Sequence, residues 1–254
     1  MSDGEFTEDA ILGGRVVLRQ PKRGYRVNVD TVLLAAALPA ASISDHARLI
    51  ELGCGVGSVV LAIAKAARDA GAHAQFIGLE RDPRYAAFAR DNAALNHLAD
   101  CVEIVEADAL APPAALSGFD HVFFNPPYDE PGDGRTPAED RRAAHVSERS
   151  IEDWIKLWCN RMGSGGVMTL IHRAHRLGDL LRALEGRLGG VDVFPVRSYA
   201  DAEATRVVVR ARKGSRAPLR LLRGLDLHPR GAAEGKYTPE AEAVLRGEAD
   251  IWSP

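Results

Sequence analysis

The tetrad Asn125-Pro126-Pro127-Tyr128 ends the apolar run Phe119 to Phe124, and its residue types suit a planar nitrogen nucleophile. Proline has no N–H, so two in succession give a rigid, extended stretch whose carbonyls can face a ligand. An amino group attached to a base or a carbonyl carries two hydrogens and a delocalised lone pair. The Asn125 side-chain oxygen and the Pro126 carbonyl can take one hydrogen each, which fixes the nitrogen and lets its lone pair localise towards an electrophile. Pro127 and Tyr128 then line the substrate side, with the Tyr128 ring as a stacking face. A plain strand-to-loop turn with a packed Tyr is the alternative.

A second segment points to the other reactant. Glu51-Leu52-Gly53-Cys54-Gly55-Val56-Gly57 stands between an apolar strand and a helix. Glycines there allow a sharp turn and a close approach to a ligand. The dinucleotide spacing is Gly-x-Gly-x-x-Gly, whereas Gly53, Gly55 and Gly57 give Gly-x-Gly-x-Gly preceded by an acid. Glu51 suits a cationic ammonium and would repel a pyrophosphate. Glu80, at the end of the next strand, can accept from two ribose hydroxyls, and Asp108, after the third, from an adenine amino group. Each acid alone is more often a cap or a surface charge. At three successive strand ends they describe a pocket for an adenosine with a cationic amino-acid tail.

These residues need a scaffold that brings strand ends together, and the hydrophobic pattern predicts one. Short apolar strands at Arg48 to Leu52, Gln75 to Leu79, Val102 to Val105 and Phe119 to Phe124 are separated by helical stretches at Val59 to Ala70 and Asp82 to His97. A helix from Ile151 to Met162, a strand from Val167 to Ile171 and a helix after His175 continue the pattern. Val191 to Val196 and Arg206 to Ala211 read as an antiparallel edge pair. The expected fold class is α/β, a doubly wound, Rossmann-like, mostly parallel seven-stranded sheet with an antiparallel edge strand, whose ligands sit beyond the strands' carboxyl ends. Before it, Ile11 to Leu18 predicts a strand or hairpin, and Asp30 is expected to cap a helix from Thr31 to Leu38 that Pro39 stops. The 254 residues form one expected domain: a hairpin and helix over 1–45, the core over 46–213 and a C-terminal extension over 214–254.

The composition, 46% hydrophobic and 26% charged with a formal charge of −3, is that of a soluble globular chain and does not by itself call for a nucleic-acid partner. The distribution of charge does. Arg15, Arg19, Lys22, Arg23 and Arg26 lie in one stretch without an acid, and Arg197 to Lys236 holds ten Lys and Arg against Asp201, Glu203, Asp226 and Glu234. Two such segments can present an anion-binding face, or a solvated surface. Cys54, Cys101 and Cys159 are odd in number and far apart, which argues for a reducing cytosol. There is no signal-peptide pattern in Met1 to Asp9, and Val32 to Ala41 is too short to span a bilayer, so a cytoplasmic protein without membrane contact is expected. His172 and His175 lack a nearby carboxylate or Cys at ligand spacing, so no metal is expected.

The Gly-rich loop, Glu80, Asp108 and the Asn-Pro-Pro-Tyr tetrad, in this order, resemble the class I S-adenosylmethionine-dependent methyltransferases. Gly24-Tyr25-Arg26-Val27-Asn28-Val29-Asp30-Thr31 and Lys236-Tyr237-Thr238-Pro239-Glu240 are similar to the bacterial N6-adenine methyltransferases that modify the adenine beside the anticodon of a valine tRNA. The resemblance implies S-adenosyl-L-methionine as cofactor and tRNA as partner, with Tyr25 and Asp30 closing over the methionine end. The long loop from Asp129 to Arg149 would close over the substrate, while Arg141, Arg142 and His145 meet phosphate. The same acceptors also suit a glutamine amide, as in N5-glutamine protein methyltransferases, or a guanine N2 amino group in RNA. The glutamine enzymes as a family carry a helical substrate domain before the core, where this chain has a hairpin and one helix. A nucleotide-binding or oxidoreductase domain that uses the glycine loop without methyl transfer is a further alternative.

Overall fold

A computed structural model describes residues 6–23, 26–126, 151–230 and 236–252. The chain opens with an antiparallel hairpin, β1 (Phe6–Ile11) and β2 (Val16–Pro21). Helix α1 (Val29–Ala36) follows. Its cap is Asn28, whose extended backbone lets the side chain accept from the N–H groups of Asp30 and Thr31, while the Thr31 hydroxyl accepts from the Asn28 N–H. Asp30, the cap expected from the sequence, is therefore inside the first turn.

The alternation is present. It runs β3 (Arg48–Leu52), α2 (Ser58–Asp69), β4 (Gln75–Glu80), α3 (Pro83–Leu95), β5 (Val102–Glu106), β6 (Phe119–Phe124), α4 (Ile151–Arg161), β7 (Met162–Arg173), α5 (Leu177–Leu184), β8 (Leu188–Arg197) and β9 (Ala204–Lys213). Two-residue strands β10 (Arg220–Leu221) and β11 (Leu225–Asp226) then pair with β8, and α6 (Pro239–Leu245) packs on α1. The sheet order is β10-β8-β9-β7-β6-β3-β4-β5. Within this sheet only β9 runs against the others among the described strands, and it lies between β7 and β8. β7 begins earlier than the apolar run suggests, because Met162 already pairs with Phe119 before a shift in register brings Val167 opposite His121.

Side chains alternate between two cores, as strand geometry requires. Leu49, Phe76 and Phe123 face α1, α2 and α3, whereas Ile50, Leu52, Val122 and Phe124 face α4 and α5. The chain leaves β3 in one direction through β4 and β5, then crosses to β6 on its other side. That reversal opens a crevice between the ends of β3 and β6, where a ligand can bind.

Candidate active site

Gly53, Gly55 and Gly57 all have left-handed backbones, with φ of 68°, 55° and 85°, so the sequence Gly-x-Gly-x-Gly is what allows this turn. The Gly53 and Cys54 N–H groups donate to the Leu79 carbonyl at 2.8 and 3.0 Å, which draws the loop over the end of β4. The approach is close enough that a Cβ on Gly78 would stand 2.8 Å from Cys54 Sγ. Glu80, 9% exposed, fastens the same loop: one carboxylate oxygen accepts from Gly55 N–H and the other from Asp82 N–H, each at 2.9 Å.

Glu51 is 3% exposed and points towards α2, where it accepts from the Val60 N–H at 2.8 Å. This satisfies one of the free donors in the first turn of a helix whose cap residue, Gly57, has no side chain to offer. Burial pushes the Glu51 carboxyl well above its usual range, the Val60 bond opposes the shift, and the nearby Glu80 charge adds to it. Asp108 is half-buried and accepts from Leu110 N–H at 2.8 Å, a bond that fixes the turn after β5. The Glu80 carbonyl accepts from Ala107 N–H at 3.0 Å, so the Asp108 turn lies against the Glu80 strand end.

On the other side of the crevice, Leu52 and Phe124 are neighbours in the parallel register, so Gly53 and Asn125 leave the sheet side by side. Asn125 Oδ1 is buried and has no hydrogen-bond partner among the described residues. A buried amide oxygen without a partner costs free energy, and a ligand that donates to it recovers that cost. Pro126 is buried beside it. Asp30, 2% exposed, forms an ion pair with Arg206 of β9. Tyr25, Pro127, Tyr128, Arg141, Arg142 and His145 lie outside the described residues, as does the rest of the 129–149 loop.

Two contributors were not singled out in the sequence. Trp154 of α4 lies 5.5 Å from Phe124 between ring centroids, and its ring edge would be 3.9 Å from a Cβ on Gly53, so it walls the crevice where the two strand ends meet. Its i, i+4 spacing with the buried Trp158 was the available signal. Asn92 is fully buried and binds Arg19 N–H and carbonyl and the Val56 carbonyl at 2.8 to 2.9 Å, joining the free edge of β2 to the glycine loop.

The basic segments are less cationic than their composition. Arg19 pairs with Glu8, Arg26 with Asp9, Arg206 with Asp30, Arg210 and Arg220 with Asp192, and Arg197 with Asp226. Most of these acids lie outside the segments, so counting within a segment overstates its field. Among the described residues no helix is long and apolar enough to cross a membrane, and no cluster of three or more His, Cys, Asp or Glu suits a metal ion.

A family model described as the methyltransferase small domain matches residues 24–149. A tRNA1(Val) (adenine(37)-N6)-methyltransferase of Porphyromonas gingivalis is 32% identical over 225 residues, 85% of each chain. One from Dickeya chrysanthemi is 25% identical over 196 residues, covering 76% of this chain and 75% of that one. A solved structure of a predicted O-methyltransferase from Agrobacterium tumefaciens has a TM-score of 0.68 and 28% identity, covering 87% of this chain and 98% of that one. A Thermus thermophilus 16S rRNA N2 methyltransferase, in complex with AdoMet and guanosine, shares the fold, with a TM-score of 0.58 and 18% identity over 82% of this chain and 50% of that one.

Proposed function

The chain belongs to the S-adenosylmethionine-dependent methyltransferases, in the family of its Porphyromonas gingivalis relative, and on that premise we propose that it methylates the N6 amino group of an adenine in a tRNA, adenine 37 of a valine tRNA being the first candidate. The observation that carries this reading is the buried Oδ1 of Asn125 beside the glycine loop, without a hydrogen-bond partner among the described residues. An acceptor in that condition calls for a donor. An exocyclic amino group has one hydrogen for it and one for the Pro126 carbonyl.

The cofactor side fits S-adenosylmethionine: a glycine turn for close backbone approach, Glu80 and Asp108 as acceptors for a nucleoside, and Glu51 for an ammonium. When bound, S-adenosylmethionine supplies the methyl group on a positively charged sulfur. The chain's own part is alignment and polarisation. Asn125 and Pro126 hold the amino nitrogen with its lone pair directed out of the base plane, and their hydrogen bonds strengthen as that nitrogen becomes positive. Tyr128 and Pro127 support the turned-out base, and Arg141, Arg142 and His145 are assigned to its phosphates. No strong base is required, because the methylated amino group loses its proton to water afterwards.

An oxygen nucleophile, as in the name of the Agrobacterium structure, has one hydrogen and needs a base to remove it, which the Asn125 amide is not. The test incubates the protein with S-adenosylmethionine and unmodified valine tRNA transcript and analyses nucleosides by mass spectrometry. N6-methyladenosine is the expected product. Methylation of guanine, or of a protein glutamine with no tRNA product, would sink the adenine assignment.

A further inference from the structure

A second aromatic set stands on the same rim as Asn125, outside the residues assigned to either ligand. Tyr199, in the loop from β8 to β9, is 47% exposed. Its ring lies 5.6 Å from that of His228, and His228 stacks on Tyr237 at 5.3 Å with the planes 21° apart. Lys236 Nζ is 5.1 Å from the centre of the Tyr237 ring. The rings come from three separate segments, and backbone bonds hold them in place. His228 N–H donates to the Ser198 carbonyl, Leu227 N–H to that of Arg197 and Thr238 N–H to that of Leu227, each at 2.9 Å. His228 Nδ1 lies 2.6 Å from the Lys236 carbonyl, which only accepts, so Nδ1 carries a proton and Nε2 is turned to other partners.

The position of this set matters as much as its make-up. β8 ends at Arg197 and β6 at Phe124, on the same carboxyl rim, with β9 and β7 between them. Phe124 is level with Val193 through the register of β7 and β9, so the rings lie three strands across and about five residues farther along than Asn125, on the order of 20 Å away. The rim between carries Arg173, His175 and Arg176 at and just after the end of β7. Exposed Arg230 borders the rings, in an exposed pair with Asp201 at 2.7 Å that a phosphate can displace at little cost. A ring packed only for stability would be covered, whereas Tyr199, tilted 47° against the stacked pair of His228 and Tyr237, presents nearly half its surface.

We infer that Tyr199, His228 and Tyr237 form a platform on which an unpaired base of the RNA stacks, a few nucleotides from the base held at Asn125, with Lys236 and Arg230 meeting the intervening phosphates. This rests on the RNA reading above. Turning one base out of its stack leaves its neighbours without a partner, and aromatic faces interleaved with cations are what single strands bind.

The experiment measures affinity of the full chain for unmodified valine tRNA transcript, with S-adenosylmethionine affinity and melting temperature alongside. Tyr199→Ala should weaken tRNA binding roughly five- to a hundredfold, the effect of losing one base-stacking contact, and leave the other two unchanged. Tyr199→Leu, which keeps an apolar contact on His228 without an aromatic face, should bind as weakly as Ala, and Tyr199→Phe as well as wild type. If Tyr199→Ala binds tRNA like the wild type, the platform is overturned and the methylation reading stands. If the wild type binds no tRNA and methylates a protein instead, both fall.

Discussion

The two banks of the crevice differ in how far their polar groups are already committed. At the ends of β3, β4 and β5, Glu51, Glu80 and Asp108 each accept from a backbone N–H, and those bonds fix the first turn of α2, the glycine loop and the turn after β5, on the bank proposed for the cofactor. At the end of β6, Asn125 Oδ1 has no hydrogen-bond partner among the described residues. A bank whose groups hold one another is preorganised, so its residues should govern affinity. If the open acceptor of Asn125 serves the reacting atom, as proposed, its bank should govern rate, because the bond forms with the ligand and strengthens in the transition state.

The largest expected effect tests the second half of that contrast. Asn125→Ala should lower kcat by roughly 10²–10³, the scale of losing one polarising partner, with S-adenosylmethionine affinity nearly intact. Asn125→Asp keeps an oxygen at the same reach and should retain more activity than Ala. Single-turnover rates on valine tRNA transcript decide it: an unchanged rate in Asn125→Ala would make the tetrad a turn and end the nitrogen-methylation reading.

The opposite pattern is expected across the crevice. Glu80→Ala and Asp108→Ala should each weaken S-adenosylmethionine binding by about 1–3 kcal/mol, since each removes an acceptor and a backbone fastening, of the glycine loop by Glu80 and of the turn after β5 by Asp108. Saturating cofactor should recover most of the rate. Titration calorimetry with unaltered isotherms in both variants would mean that the acids serve only the loop.

This division was partly visible in the sequence. The three glycines were legible because their backbones, at φ of 55° to 85°, are ones that other residues rarely adopt. The ends of β4 and β5 were legible because their apolar runs stopped at Glu80 and Glu106. What escaped was set by partners far along the chain. Asp30 was expected to cap α1, and the extended backbone at Asn28, which the apolar pattern does not reveal, makes Asn28 the cap instead. The apparent charge of the basic segments dissolved because Glu8, Asp9, Asp30 and Asp192 lie outside them. The strand was expected to begin at Val167, yet β7 begins at Met162, because its register shift absorbs the extra residues beside Phe119.

Asn92 was hidden for the same reason, and it joins the cofactor bank to the hairpin. Asn92→Ala would leave the Arg19 N–H and the Arg19 and Val56 carbonyls without their bonds, at a cost of about 1–3 kcal/mol in unfolding free energy. Urea denaturation measures this. A variant as stable as the wild type would show that the edge of β2 is satisfied by water and that the two regions are not coupled there.

The smallest effect asks whether Glu51 is a fastening alone or also a ligand. Its carboxyl is pushed well above the usual range by burial, so the folded protein binds more protons there than the unfolded chain does. Stability from this group is therefore complete below the unfolded value near 4.5 and is lost as pH rises through the raised folded value. An ammonium placed against Glu51 reverses the sign, since it favours the ionised form and expels the proton. The thermal shift given by S-adenosylmethionine should thus grow as pH rises through that range, and binding should release a fraction of a proton, seen as a buffer-dependent heat. Glu51→Gln keeps an oxygen for the Val60 N–H and removes the titration, so it should lack the loss of stability that the wild type shows as pH rises through that range, and it should abolish the proton release. If wild type and Glu51→Gln give the same buffer-independent heat, Glu51 caps α2 and nothing more, and the ammonium is held elsewhere on the cofactor bank.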